Sequence, residues 1–206
     1  MHLVEQNSRV YALPCLDMTT YQPNPSALAR LFFYDTRSAI FWLLVRVYVG
    51  YEWLSEGLEK LSDPLWFGPK AGTALNGFVQ EALHKTAAFC PPGPAECYAD
   101  VSNWYAAFLQ NVVLPHVTGW SYIVTLGELA VGLGLIVGLF TGVAAFFGLF
   151  MNINYLLAGA ISTNPQLLIL ALGLVLSRRV AGYYGLDHYG AAYIRRYKIG
   201  RMLSSY

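Results

Sequence analysis

Charge is what this chain has least of. Only 12% of its 206 residues are Asp, Glu, Lys or Arg, against about a quarter in an ordinary soluble domain, while 56% are hydrophobic and the mean hydropathy is +0.42. That shortage excludes a typical soluble domain and points to an integral membrane protein. The formal net charge is +1, with no basic run, phosphate-cradling glycine loop or arginine-rich arm, so no nucleic-acid partner is expected. Cysteine is scarce as well: there are 3, and an iron–sulfur cluster takes about four. Haem lacks axial ligands, because His2, His84, His116 and His188 all fall outside the long apolar runs. Neither cofactor is expected. The first thirty residues carry no apolar stretch between a charged start and a small-residue cleavage site, so they read as a polar, proline-marked lead-in and not as a cleaved secretory signal.

What is present is a set of apolar runs long enough for lipid. Crossing a hydrocarbon core of about 30 Å takes roughly 20 helical residues. Four runs approach this: Ser38 to Leu61, Trp120 to Phe140, Gly142 to Ile161, and Gln166 to about Ser177. The last is short, and Val180 to Tyr184 would extend it if Arg178 and Arg179 snorkel to the headgroups or face partners. Short links, "FTG" and "STNPQ", make the last three runs antiparallel neighbours. The expected fold is an all-α membrane protein, a four-transmembrane-helix bundle divided into segments 1–37, 38–61, 62–119, 120–178 and 179–206. Lys and Arg gather before the first run (Arg30, Arg37) and after the fourth (Arg178, Arg179, Arg195, Arg196, Lys198, Arg201), which places both termini in the cytoplasm.

The insert 62–119 then lies outside as a small helical extracytoplasmic cap. Helices are predicted at Thr73 to Ala88 and at about Ala95 to Leu114, the second ending before Pro115. Its aromatics, among them Trp66, Phe78, Trp104, Tyr105 and Phe108, suit either a cap resting at the membrane interface or an ordinary packed loop subdomain. Cys90 and Cys97 flank "PPGPAE" in this insert, where an oxidising compartment favours a structural disulfide. A redox-active pair is the alternative, although the two lack CxxC spacing, and zinc would need His84 and His116 to converge on them.

The run "FWLLVRVYVGYEWLSEGLEKL" holds Arg46, Glu52, Glu56, Glu59 and Lys60 inside an otherwise apolar helix. Counting residues from the outer helix ends puts Glu52, Glu128, Asn152 and Asn154 at nearly one depth, with Glu56 a turn above Glu52. Carboxylates at one depth in lipid cannot all be ionised without a cation, so at least one is expected protonated or paired with Arg46 or Lys60. Such a belt serves as interhelical glue or moves protons. With the neighbouring rings of Tyr51, Trp53, Tyr122 and Tyr155, it offers a quinone an apolar slot, hydrogen bonds for its carbonyls and an exchangeable proton. Glu52, Glu128 and Arg46 are the candidate catalytic groups. Glu56, Asn152, Asn154, Trp53 and Tyr155 are the candidate quinone contacts.

The run from Gly127 to Leu176, "GELAVGLGLIVGLFTGVAAFFGLFMNINYLLAGAISTNPQLLILALGLVL", resembles the second half of DoxX/DoxD-type membrane proteins. "RVYVGYEWLSEGLEKL" resembles their first helix, with Arg46, Gly50, Gly57 and Lys60 in the family's spacing. The insert, with "WYAAFLQNVVLPH", is similar to the larger DoxD-like members. The resemblance implies a four-helix protein of the prokaryotic plasma membrane, with Arg46, Lys60, Glu128, Asn154 and Asn164 at matching positions. In the DoxD branch it implies a subunit of a thiosulfate:quinone oxidoreductase, working with other membrane-complex subunits in the lipid bilayer. Two further functions stay open: a non-catalytic accessory subunit of a respiratory or photosynthetic complex, and a thiol-to-quinone oxidoreductase using Cys90 and Cys97.

Overall fold

The computed structural model describes residues 26–86 and 99–188, and apart from an isolated bridge between Thr86 and Val101 these residues form helices and turns. Ser26 accepts a hydrogen bond from Ala29 N and starts α1 (Ala27–Tyr34), a helix the sequence reading did not foresee. Asp35 then caps a 3-10 turn, and α2 (Ala39–Ser62) follows within a residue of the predicted run at each end. The insert supplies α3 (Thr73–His84) and α4 (Asn103–Phe108). Next come α5 (Val117–Val137), α6 (Thr141–Leu157), α7 (Asn164–Leu176) and the single turn α8 (Arg178–Ala181).

Two expectations about the insert are corrected. Its first helix stops at His84, four residues early, and Thr86 forms a bridge with Val101. Cys90 and Cys97 lie in segment 87–98, outside the described residues. The second helix does not end before Pro115. A π-helical turn (Leu109–Val113) and a 3-10 turn (Leu114–His116) carry the chain past the proline into α5, so helical structure is unbroken from Asn103 to Val137. Proline is tolerated because it falls at the start of the new turn, where its missing N–H is not needed. This 35-residue stretch is long and apolar enough to cross a membrane, whereas α6 and α7 are shorter apolar helices of 17 and 13 residues.

The predicted extension of the last helix through Val180 to Tyr184 is not made. The helix breaks at Ser177, and the chain after α8 turns back over the base of α2. The predicted third run also ends early, at Leu157, just before Gly159 takes a left-handed φ of 74°.

α2 packs most extensively on α5, α6 on α7, and α5 on α6. Every third or fourth residue of α2 is buried, from Trp42 through Arg46, Val49 and Trp53 to Gly57, facing the stripe Ser121, Thr125, Glu128, Gly132 and Leu135 of α5. The approach is close: a Cβ on Gly132 would stand 2.6 Å from Leu54 N, and one on Gly57 would stand 2.9 Å from Leu129 N. The bundle core forms around Trp42, Val49, Trp53, Leu135, Ala145 and Leu174. A second core, built by Leu75, Val79, Leu83, Val101, Tyr105 and Leu109, seats the insert on the end of α6 through Ala158.

Candidate functional site

Glu128 sits on the buried stripe of α5 and is 1% exposed. Taking a carboxylate out of water is costly unless its charge is met and its oxygens are hydrogen-bonded. Neighbouring helices supply a cation at Oε2 and a hydrogen bond at Oε1. Lys60 of α2 places Nζ 3.0 Å from Oε2, and Tyr155 of α6 donates its hydroxyl to Oε1 at 2.5 Å. Lys60 Nζ is also 3.1 Å from Glu56 Oε2 one helical turn away and lies 5.3 Å from the centre of the Trp66 ring. Glu56 itself is 60% exposed. A continuous string of polar atoms thus runs from the half-buried Tyr155 through Glu128 and Lys60 to the surface.

Tyr155 also faces an apolar cavity of about 400 Å³. Phe78 and Val79 from the insert, Tyr105 from α4, Val124 from α5 and Met151 from α6 contribute to its walls. Tyr105 donates its hydroxyl to Asn154, between the backbone oxygen at 3.0 Å and Oδ1 at 3.2 Å. Tyr105, Asn154 and Tyr155 thus bring polar side chains to an otherwise largely apolar lining. Ile123, Phe147 and Phe150 belong to the same walls and are more than half exposed, so the cavity communicates with the apolar outer face between α5 and α6.

Of the residues singled out in the sequence, Glu128, Tyr155, Glu56 and Asn154 come together around this cavity and its polar string. The others do not. Trp53 stacks behind Tyr155 at 6.3 Å between ring centres, and Asn152 is buried with its amide nitrogen 3.2 Å from Asn164 Oδ1. Neither lines the cavity. Trp53 Nε1 and Asn152 Oδ1 are buried without a hydrogen-bond partner among the described residues.

Glu52 is half-buried beside Tyr48, which faces outward, and it is not at the depth of Glu128. Gly57 is level with Leu129 and Leu54 with Gly132, so Glu128 is level with residue 58 and Glu52 lies about 9 Å deeper. Trp120 is not an outer helix end, because the helical path continues beyond it to Asn103. Arg46, expected on a different side of the helix and nearer the middle, is also far from Glu128. It is 1% exposed, level with Gly138, and bonds the carbonyls of Ala181 and Tyr184, each at 2.9 Å. That places it about 15 Å along the bundle from Glu128, as a fastening for the chain after α8.

Tyr105 and Phe78 are site residues that the sequence does not point to, whereas Lys60 meets Glu128 as one of the two cations expected for the belt. Lys60 carried a signal, because it follows Glu56 by four residues and was a candidate cation for the belt. Tyr105 and Phe78 carried none, since only the folding of the insert onto α6 brings them to the site.

The described residues thus form a helical bundle with one helix of membrane-crossing length, an apolar cavity open to its outer face and a buried ion pair. The sequence model of the DoxX family matches residues 41–160, more than half of the chain, and the protein belongs to that family. As a member it is a membrane protein in contact with the lipid bilayer. Comparison with curated proteins and with solved structures finds no match.

Proposed function

We propose that this DoxX protein acts at the membrane quinone pool, holding a quinone ring in the cavity bounded by Tyr105, Asn154 and Tyr155. The observation that carries the reading is the hydrogen bond from Tyr155, a cavity-lining phenol, to the buried carboxylate of Glu128. Reduction of a quinone takes two electrons and two protons. The protons reach the ring oxygens through Tyr155, which is reprotonated by way of Glu128, Lys60 and Glu56. Cavity volume and apolar lining suit a ring with few polar contacts, and the opening beside Ile123 and Phe150 leads an isoprenoid tail into lipid. Thiosulfate is the electron donor implied by the family resemblance, delivered through a partner subunit.

In this reading α2, α5, α6 and α7 all span a prokaryotic plasma membrane, with both termini cytoplasmic and the insert outside. α7 is short for a span, and α8 with its two arginines completes it at the headgroup level. Quantifying quinone in the purified full chain tests the proposal. Stoichiometric bound quinone that falls in Tyr105→Ala supports it. A stable complex with other membrane subunits and no quinone would favour the accessory-subunit function. Bound quinone whose reduction stops when Cys90 and Cys97 are replaced would favour the thiol-to-quinone oxidoreductase.

A further inference from the structure

At the opposite end of the bundle from the cavity, a groove of about 850 Å³ runs between the start of α6 and the end of α7. Arg178, Arg179 and Tyr183 line it together with the apolar side chains of Phe140, Val143 and Phe146. Both arginines are exposed, and neither has an ion pair or side-chain hydrogen bond among the described residues. The carboxylate in the groove makes no ion pair with them. Asp187 turns its oxygens to Phe140 N and Thr141 N at 2.6 and 2.8 Å and so caps α6. Arg178 is also held in place: its stem crosses Gly142, where an added Cβ would meet Arg178 Cβ at 3.1 Å and Cδ at 3.3 Å.

These features combine two guanidinium groups that have no ion pair among the described residues with an apolar wall in the same groove. Val143 and Phe146 on α6 are each more than half exposed, Val175 of α7 lines the groove with them, and the arginines follow directly after the apolar run of α7. An apolar helix ending in arginines sets them at the headgroup level, where a phosphodiester accepts forked hydrogen bonds from guanidinium groups while the acyl chains follow the apolar wall into the hydrocarbon. We propose that this groove is a binding site for one anionic glycerophospholipid, its phosphate held by Arg178 and Arg179 and its chains lying along Val143 and Phe146. The inference needs only bilayer contact and is independent of the quinone reading.

The full chain, reconstituted in nanodiscs of equimolar phosphatidylcholine and phosphatidylglycerol, tests it by native mass spectrometry after partial delipidation. One phosphatidylglycerol is expected to stay bound per chain, with phosphatidylcholine lost. In Arg178→Gln/Arg179→Gln its retention is expected to drop by roughly tenfold or more, given the attraction of about 1 kcal/mol that each basic residue adds near an anionic surface. Arg195→Gln/Arg196→Gln should retain the lipid, which separates the groove from general attraction to the basic tail. The two single variants, with intermediate losses expected, provide the same test if the double variant does not fold. Equal retention of both lipids, retention unchanged in the groove variants, or equal loss in the tail variant would each overturn the proposal. So would displacement of the bound lipid by inorganic phosphate, which would make the groove a site for free phosphate.

Discussion

Lys60 of α2 and Glu128 of α5 meet with Nζ 3.0 Å from Oε2, joining the two most extensively packed helices through a buried ion pair. The partners differ in what surrounds them. Glu128 is 1% exposed, whereas Lys60 also reaches Glu56 and the Trp66 ring. Deleting the cation is therefore expected to harm the protein more than neutralising the pair. Lys60→Met leaves an uncompensated buried carboxylate and should cost about 3 to 5 kcal/mol. Lys60→Met/Glu128→Gln should recover part of that loss, as read by thermal unfolding in detergent. A double variant less stable than the sum of the two single losses would show that the pair is not the source of the effect.

Tyr155→Phe removes one hydroxyl and leaves the ring that lines the cavity and stacks on Trp53. Loss of a hydrogen bond to a charged group is expected to cost about 1.5 to 3 kcal/mol of stability. If Tyr155 passes protons to a bound quinone, turnover should fall by about 10²-fold or more while quinone occupancy is retained. Full turnover with retained quinone would take Tyr155 and Glu128 out of the proton route.

The sequence carried the helices more faithfully than the site. α2 was legible to within a residue because its apolar run is bounded by Ser38 and Asp63, and the burial of Glu128 followed from the cost of a carboxylate in an apolar helix. Relative depth was not legible, because it depends on where each helix truly begins. The π-helical turn before Pro115 conceals that point for α5. The partners contributed by the insert were equally hidden. Tyr105 lies 49 residues from Asn154, and no local pattern announces that hydrogen bond.

Gly132 sets the spacing between α2 and α5. Alanine ordinarily favours a helix by about 1 kcal/mol over glycine. Here its Cβ would stand 2.6 Å from Leu54 N and 2.7 Å from Leu54 Cα, against backbone that cannot rotate away. Gly132→Ala is expected to destabilise by about 1 to 3 kcal/mol despite the gain in propensity. It should also loosen the Lys60 to Glu128 contact four residues away. Unchanged thermal stability would mean that the helices separate freely.

Arg46 tests whether a buried charge at a family-matching position acts in chemistry or in fastening. Its guanidinium bonds the carbonyls of Ala181 and Tyr184, beside Gly138, whose φ of 71° ends α5 and whose oxygen accepts from Asp187 N at 2.9 Å. Arg46→Met fills much of the same volume but leaves both carbonyls without their donor, at a cost of about 1 to 3 kcal/mol for each group left unsatisfied. Hydrogen exchange should then quicken across residues 178–188, where the chain turns back over α2. Exchange at the cavity end, around Tyr105 and Tyr155, should not change, and quinone retention should equal that of the unaltered protein. Because Arg46 lies about 15 Å along the bundle from Glu128, a variant that keeps its fold and its exchange pattern yet loses quinone turnover would contradict the fastening role and return Arg46 to the chemistry.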